Sequence, residues 1–442
     1  MSMMRGDRGR QWRAALLGLG LVLALAAGIA LRLAYPDDIE WKGDERWTFD
    51  QAQLMASGGS WPGLAMPSSV GVPNPGLSLW VFAGLDWIAG VKTPPELARA
   101  VQCLNAAALV ALVLFAFAAI PPGRREPWLW AAALWAVNPI AIIFERKIWS
   151  PSVLPLASVA FIAAWYCRRT LAAAFVWGLL GALMAQVHMG AAFLAAALAA
   201  WTFFYERGAF AWKSWLAGSV VGALPALPWL FAVLGHGAGA AAGFRWRFPN
   251  FTFFLRWVTQ PFGFGIDYTL GRSAMLDYLK SPLLVGQPTY VIAFVHLVLA
   301  GLVLVILARA IRTAGGRERP SVRTFCTDFF LGRSPEMLLI NAALWGYGGS
   351  LTLLTAIGNT DSHRHYLIVV APILALWAVL AVMYGDRMPR RRHARAILLV
   401  LCLGQAILSA GLLSYIHRAA IIPGEYGATW RAQQPGFVAT KP

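Results

Sequence analysis

Long apolar runs separated by short polar segments make up most of this chain. A run of about 20 apolar residues is long enough to cross a lipid bilayer as a helix. Such runs lie at residues 14–34, 98–119, 128–144, 152–167, 171–188, 189–205, 214–235, 289–311, 337–357, 366–384 and 396–415. The pattern predicts an all-α polytopic membrane protein with about eleven spans, forming a single domain over residues 1–442.

A shorter apolar run over residues 76–90 contains Asp86, and the basic residues decide whether it crosses. Basic residues in short loops favour the cytoplasmic side of a membrane. If the N-terminus is inside and residues 76–90 stay at the surface, all five later basic clusters fall inside. If residues 76–90 crossed, those clusters would move outside. We therefore predict a first outer loop that carries juxtamembrane helices.

This topology places the polar chemistry on the outer face, in residues 35–97, 236–288 and 417–442. The first span lacks a small-residue cleavage site after its apolar core, so we expect a retained anchor. These features predict a protein integral to the bacterial cytoplasmic membrane. Its N-terminus would be inside and its active site would face the periplasm.

Composition agrees with this class. Hydrophobic residues make up 59% of the chain and charged residues 13%, whereas soluble proteins average about 25% charged residues. The net charge of +17 does not indicate nucleic-acid binding, because the basic residues sit in short clusters between apolar runs. The four cysteines are scattered singly, so we predict neither a disulfide nor a zinc site.

Asp44 and Glu45 belong to the charged stretch 42–50, which follows the first span directly. Acidic residues are common at the start of a helix because the helix dipole favours them, and residues 47–56 have the pattern of an amphipathic helix. The functional alternative is a general base that takes a proton from an attacking hydroxyl. Arg46 beside the pair is a candidate substrate contact.

Three segments of the first outer loop occur together: residues 44–47 (DERW), 54–62 (LMASGGSWP) and 72–80 (VPNPGLSLW). They resemble the first periplasmic loop of GT-C membrane glycosyltransferases of the protein O-mannosyltransferase and lipid A aminoarabinose transferase type, a family 39-like pattern. The resemblance is best over residues 30–100. It implies a GT-C-type helix bundle, with Asp44 as catalytic base and Glu45 beside it.

Glu145, Arg146 and Lys147 lie at the outer end of the third span. Basic side chains at a membrane interface often extend toward water without further function. Positive charge on the outer face nevertheless runs against the topology rule. Contact with a donor phosphate would explain it, because arginine binds phosphate in a bidentate manner. All three residues are candidate substrate contacts.

Two further groups lie at outer span ends. Gln186 and His188 end the fifth span, where packing is the commoner role of a lone histidine and a substrate hydrogen bond is the alternative. His363, Arg364 and Tyr366 open the tenth span and resemble a basic–aromatic group that the GT-C family carries there; an interfacial belt is the alternative. Two histidines so close in sequence do not converge on one ion, so neither a metal nor another cofactor is indicated.

The loop 236–288 interleaves basic and aromatic side chains. Its basic residues are Arg245, Arg247, Arg256, Arg272 and Lys280. Such interleaving can bind single-stranded nucleic acid. In an outer loop of a membrane protein it favours a segment that lies on the bilayer lipids and frames a groove for a lipid phosphate. The sequence contains no Gly-rich nucleotide-binding motif, so no nucleic-acid or nucleotide partner is predicted.

Together these features predict an inverting hexosyl or pentosyl transferase that uses a polyprenyl-phosphate-linked sugar, because nucleotide sugars are absent outside. Its acceptor would be a hydroxyl of a lipid, glycan or protein. A transporter or flippase shares this hydropathy, but it should carry ionisable groups at mid-membrane. A polymer ligase or acyltransferase is the other alternative, and it would not depend on Asp44.

Overall fold

The computed structural model describes residues 2–68, 72–206, 208–235, 246–314, 334–357, 361–384 and 391–438. This part of the chain is a bundle of helices with three two-stranded sheets. Five helical segments are long and apolar enough to span a membrane, namely Pro94–Ala119, Trp212–Gly235, Val291–Arg312, Pro335–Ile357 and Arg392–Ala419. The prediction of an all-α polytopic membrane protein is confirmed.

The first outer loop folds into short elements between two long helices. These are α1 (Ser2–Leu33), α2 (Gly43–Ala56), strands β1 (Leu64–Pro67) and β2 (Pro73–Pro75), α3 (Leu77–Ala89) and α4 (Pro94–Ala119). The two strands pair antiparallel. Glu45 accepts the backbone N–H of Lys42 at 3.2 Å, which satisfies one of the donors left open at the start of α2.

The centre of the bundle is the helix after α4. The helices in this part are α5 (Arg125–Val137), α6 (Pro139–Phe144), α7 (Leu154–Tyr166), α8 (Leu171–Val187) and α9 (Gly190–Glu206). Every residue from 131 to 140 is buried. Asn138 separates α5 from α6, since proline cannot continue a helix. Its side chain caps α6 by accepting the backbone N–H groups of Ile140 and Ala141 at 3.1 and 3.0 Å.

The remaining helices surround this centre. They are α10 (Trp212–Ala223), α11 (Leu227–Gly235), α12 (Thr252–Thr259), α13 (Ile266–Leu279), α14 (Val291–Ala314), α15 (Pro335–Asn341), α16 (Gly348–Ile357), α17 (Tyr366–Val369), α18 (Ala371–Met383) and α19 (Arg391–Ala419). A π-helical segment, Ala342–Tyr347, joins α15 to α16. Strands β3 (Leu283–Leu284) and β4 (Gln287–Pro288) form a hairpin before α14.

The C-terminal tail folds back onto the first outer loop. Its strands β5 (Ile421–Ile422) and β6 (Gly427–Ala428) pair with each other. Buried Asp38 of the first loop accepts a hydrogen bond from Arg431 at 2.8 Å and contacts His417 at 2.5 Å. The backbone N–H of Trp430 donates to the Ile39 carbonyl at 2.9 Å. The two segments, both predicted to lie outside, therefore pack together in one layer, which we call the outer layer.

Each predicted span coincides with a helix or with an interrupted run of helices, although the number of crossings remains a prediction. Arg245 and most of the loop near 312–335, which is predicted to be cytoplasmic, lie outside the described residues.

The apolar run 76–90, whose crossing the sequence left in doubt, forms α3 and packs against α2. Its Asp86 accepts a hydrogen bond from Gln53 at 2.5 Å, while Trp87 and Ile88 are exposed. An apolar edge beside a satisfied carboxylate is typical of a helix lying at a membrane surface.

A cysteine introduced at Lys92, just after α3, should react from the outside of intact cells with a membrane-impermeant maleimide. The matched control is Lys213→Cys, which the charge pattern places inside and which should react only after permeabilisation. Native Cys103, Cys167, Cys326 and Cys402 are first changed to serine. Labelling of position 92 only after permeabilisation would show that α3 crosses the membrane, and would invert the placement of every later loop.

Candidate active site

Two adjoining cavities open in the outer layer. The larger has a volume of about 540 Å³ and lies between α2, the β1–β2 hairpin, the α8–α9 junction and residues 363–366. The smaller, of about 160 Å³, lies between residues 40–45, residues 144–149 and α13. Five residues line both cavities: Asp44, Trp149, Tyr268, His365 and Glu425. The larger volume falls in the range of sites that hold small molecules.

Asp44 lies at the junction of the cavities because α2 begins there. It is the second residue of that helix and its side chain is exposed. Glu45, the third residue, points into the smaller cavity and is 3% exposed. Burial and the nearby Glu40 carboxylate raise the pKa of Glu45 to about 7, although the Lys147 ammonium opposes this. The two adjacent carboxyl groups therefore differ in environment, since Asp44 is exposed and Glu45 is buried.

The cations of the site line the smaller cavity. Lys147 forms an ion pair with Glu40, and its ammonium lies 4.9 Å from the Phe144 ring centroid and 5.4 Å from that of Trp149. Lys42 pairs with the other oxygen of Glu40 at 2.7 Å. Glu40 thus holds both ammonium groups at the cavity wall. An anionic ligand in the smaller cavity would therefore meet ammonium groups that Glu40 already holds in place.

Arg364 completes this group of cations from the opposite side. Its guanidinium lies 4.7 Å from the Tyr268 ring centroid, and its Nη1 donates to the Gly265 carbonyl at 2.7 Å. A side chain at position 265 would overlap Nη1, and the backbone there has a φ of +105°, so only glycine fits without strain. Arg364 Nε is buried without a hydrogen-bond partner among the described residues.

Arg364 also lines a third, small cavity of about 40 Å³. The walls of this cavity are mainly apolar residues of α5, α6, α17 and α18, including Leu134, Ile140 and Leu374. Arg256 lies close enough to influence Arg364, and burial together with the Arg364 charge lowers the pKa of Arg256 to about 10. Two neighbouring guanidinium groups would be stabilised by an anion.

Three histidines and a tyrosine form one wall of the larger cavity. His188 and His365 have ring centroids 5.3 Å apart, and His363 stacks on His365 at 5.3 Å. The ring centroids of Tyr366 and His188 are 5.6 Å apart. Burial lowers the pKa of both His363 and His365 below the usual imidazole value. Across the described ranges, no three His, Cys, Asp or Glu side chains are grouped so as to hold a metal ion.

Two predicted contacts instead hold helices together, since neither lines the outer cavities. Glu145 and Arg32 form an ion pair at 2.6 Å with no exposed side-chain surface, and Trp135 donates to Glu145 at 2.7 Å. Arg146 donates to four carbonyls at the end of α1, those of residues 31, 32, 34 and 35, at 2.6–3.0 Å. The sequence places the positive charge of Arg146 on the outer face. These hydrogen bonds account for it, because the carbonyls at the end of a helix lack partners within the helix.

Gln186 and Arg46 also lie outside both outer cavities. Gln186 is buried and donates to the Gly222 carbonyl at 2.6 Å, which ties α8 to α10. Arg46 is exposed and donates to Gln433 of the tail at 3.1 Å. Of the predicted site residues, the structure brings together Asp44, Glu45, Lys147, His188, His363, Arg364 and Tyr366.

The structure adds site residues that the sequence analysis did not single out. Glu40, Trp149, Tyr268 and Glu425 line the cavities. Glu425 carried a usable signal, because it is the only acidic residue in the tail 417–442. Tyr268 carried none, since nothing in its local sequence distinguishes it from the other aromatic residues of its loop.

Arg146→Ala and Arg146→Lys should both lower the free energy of unfolding, by about 2–3 kcal/mol, because hydrogen bonds from a charged group to buried carbonyls are lost. Thermal denaturation of the purified protein in detergent measures this. Arg46→Ala is the matched control and should change stability by less than about 0.5 kcal/mol. Arg146→Ala melting like the wild type while losing donor affinity would instead assign Arg146 to the donor phosphate.

No family model and no curated protein matches the sequence. Comparison with solved structures finds similarity to the archaeal oligosaccharyltransferase AglB from Archaeoglobus fulgidus, in complex with an inhibitory peptide and a dolichol-phosphate. The identity is 13% and the TM-score 0.46, over 96% of this chain and 59% of that one. This chain therefore spans less than two thirds of the length of the oligosaccharyltransferase.

A second similarity is to ArnT from Cupriavidus metallidurans. The apo structure gives 14% identity and a TM-score of 0.45, over 92% of this chain and 79% of that one. The structure bound to undecaprenyl phosphate gives 14% and 0.41 over the same shares. All three TM-scores lie below 0.5, so these similarities carry no conclusion about what this chain binds.

Proposed function

We propose that this protein transfers a sugar from a polyprenyl-phosphate donor to a hydroxyl acceptor at the outer face of the bacterial cytoplasmic membrane. The observation that carries the proposal is the position of Asp44 at the junction of two cavities. The lining of the smaller one includes three cations and four carboxylates, and the larger one is rich in aromatic side chains. Such a carboxylate is placed between a site for phosphate and a site for sugar and acceptor.

The smaller cavity is the proposed site of the donor phosphate. Arg364 offers an Nε–H that has no partner among the described residues, and guanidinium groups bind phosphate oxygens with strong, directional hydrogen bonds. Lys42 and Lys147 supply further positive charge from the opposite wall. The apolar third cavity beyond Arg364 gives the direction in which the polyprenyl chain would leave the site.

The reaction is a single displacement at the anomeric carbon. The acceptor oxygen attacks that carbon as Asp44 takes the hydroxyl proton, so that the new carbon–oxygen bond forms without a free alkoxide. The bond from the anomeric carbon to the phosphate oxygen breaks, and its electron pair leaves with the polyprenyl phosphate. Arg364 and the two lysines stabilise the negative charge that develops there. One displacement inverts the configuration.

The proposal assigns supporting roles to the other residues of the two cavities. Glu45 lies on the helix face away from the larger cavity and tunes the charge beside Asp44 and Lys147. His188, His363 and Tyr366 line the larger cavity and would contact the sugar or the acceptor. Arg46, Arg146 and Gln186 are excluded from the proposed site because they line none of the three cavities. Glu145 lines the third cavity, but its carboxylate is paired with Arg32.

Asp44→Asn should lower the rate of sugar transfer by about 10²–10⁴-fold, the usual cost of removing a general base. Glu45→Gln should cost much less, because a Glu45 with a pKa of about 7 is already partly protonated at neutral pH, and glutamine resembles the neutral form. The measurement is transfer of radiolabelled sugar in nanodiscs, with a panel of undecaprenyl-phosphate hexoses and pentoses. An Asp44→Asn variant with near-normal turnover would refute the role of Asp44 as the base and would favour the ligase alternative.

Arg364→Lys should raise the KM for the lipid donor by about tenfold, almost as much as Arg364→Ala, because an ammonium cannot reproduce the two-pronged contact of a guanidinium. The dependence of initial rate on donor concentration gives KM and kcat separately. Arg272→Ala is the matched control, since Arg272 is exposed on α13 and lines none of the three cavities. Equal donor KM in Arg364→Ala and the wild type would refute the phosphate assignment.

A further inference from the structure

Charge is divided unequally between the two outer cavities. The described residues that line the larger cavity include two carboxylates, Asp44 and Glu425, and no lysine or arginine. The smaller cavity carries both signs of charge: Lys42, Lys147 and Arg364 line it together with Glu40, Asp44, Glu45 and Glu425. An anion in the larger cavity would therefore face two negative groups, with the cations confined to the adjoining space.

The rest of the larger cavity offers groups that suit a neutral polyhydroxylated ligand. Trp47, Trp149 and Tyr268 present aromatic surface, which can cover the C–H face of a sugar ring. The Nε2 atom of His188 is buried and has no hydrogen-bond partner in the described chain. A hydroxyl group would satisfy that atom, because hydroxyls both donate and accept.

Glu425 reaches the larger cavity because the residues on either side of it, Gly424 and Tyr426, are held in place by the protein. A side chain at Gly424 would overlap the backbone of Leu270 and Gly271, so glycine permits this close approach. Tyr426 is buried; its hydroxyl donates to the Asp38 carbonyl, and its backbone N–H donates to the Thr269 carbonyl at 3.0 Å. The Glu425 backbone N–H donates to the Tyr268 carbonyl at 3.2 Å.

The Glu425 carboxylate is 56% exposed and lies 3.5 Å from the Lys42 ammonium. It is therefore oriented by Lys42 but remains open to a ligand in the larger cavity. A negatively charged ligand group in the larger cavity would be repelled by this carboxylate, and the repulsion is greater where water is partly excluded.

We propose that the larger cavity accepts a neutral, hydroxyl-bearing sugar or acceptor group and rejects an anionic one, and that Glu425 sets this charge selectivity. The inference rests on the proposed function, which places the transferred sugar and the acceptor hydroxyl in this cavity. The enzyme would then discriminate against uronic acids and phosphorylated sugars.

Binding of methyl glycosides tests the inference without any transfer reaction. The probes are the methyl glycosides of glucose, galactose and mannose and the three matching uronic acids, in nanodiscs of neutral phosphatidylcholine, followed by saturation-transfer NMR. For the wild type we expect at least one neutral probe to bind about tenfold more tightly than its acid counterpart. Glu425→Gln should reduce that ratio to about threefold or less, whereas Glu425→Asp should retain most of it.

Asp50→Asn is the matched control, because Asp50 is an exposed carboxylate of the same outer layer that lines neither cavity. For this control, the ratio of neutral-probe to acid-probe affinity should equal that of the wild type. All variants should melt within a few degrees of one another. The inference is overturned if no neutral probe binds, if neutral and acid probes bind equally, or if Glu425→Gln leaves the ratio unchanged.

The two proposals fail separately. If transfer from lipid donors depends on Asp44 but the binding ratio is absent, the charge selectivity alone is wrong. If the ratio is present and depends on Glu425 but no lipid-linked sugar is transferred, the selectivity stands and the glycosyltransferase assignment fails.

Discussion

The buried ion pair between Arg32 and Glu145 is the contact on which the outer part of the molecule depends. Neither side chain has exposed surface, and a charge in such a place is tolerated only when it is paired and hydrogen-bonded. The pair fixes the end of α1 against the break after α6. Arg146 then binds the last carbonyls of α1, so the chain leaves the bundle in one direction.

Because the end of α1 is fixed, the residues that follow it are placed accurately. Asp38 and Glu40 follow that point and each binds two side chains. Asp38 holds the tail through His417 and Arg431, and Glu40 holds the nearby Lys42 and the distant Lys147. Asp44 begins α2 a few residues later. A rigid support for a reacting group is what general-base chemistry requires, since small displacements lower the rate.

The two cavities differ in charge. Lys42, Lys147 and Arg364 line only the smaller cavity, together with four carboxylates, whereas the described lining of the larger cavity has Asp44 and Glu425 and no lysine or arginine. Asp44 lies at their junction. This arrangement suits a reaction in which an anionic leaving group departs on one side while a neutral nucleophile approaches on the other. The tail contributes to both functions, because the same segment that closes the outer layer supplies Glu425.

The sequence by itself determined the membrane class and the helix positions, because runs of apolar residues are a local property, and it singled out Asp44 as a candidate base. It also led to Lys147, His188 and Arg364. Only the tertiary structure decided that Arg146 caps α1 while its neighbour Lys147 faces the cavity, since adjacent residues of a turn point in different directions. The tertiary structure also decided that Glu425 lies near Asp44. These segments are almost 400 residues apart and meet only because the tail packs on the first loop.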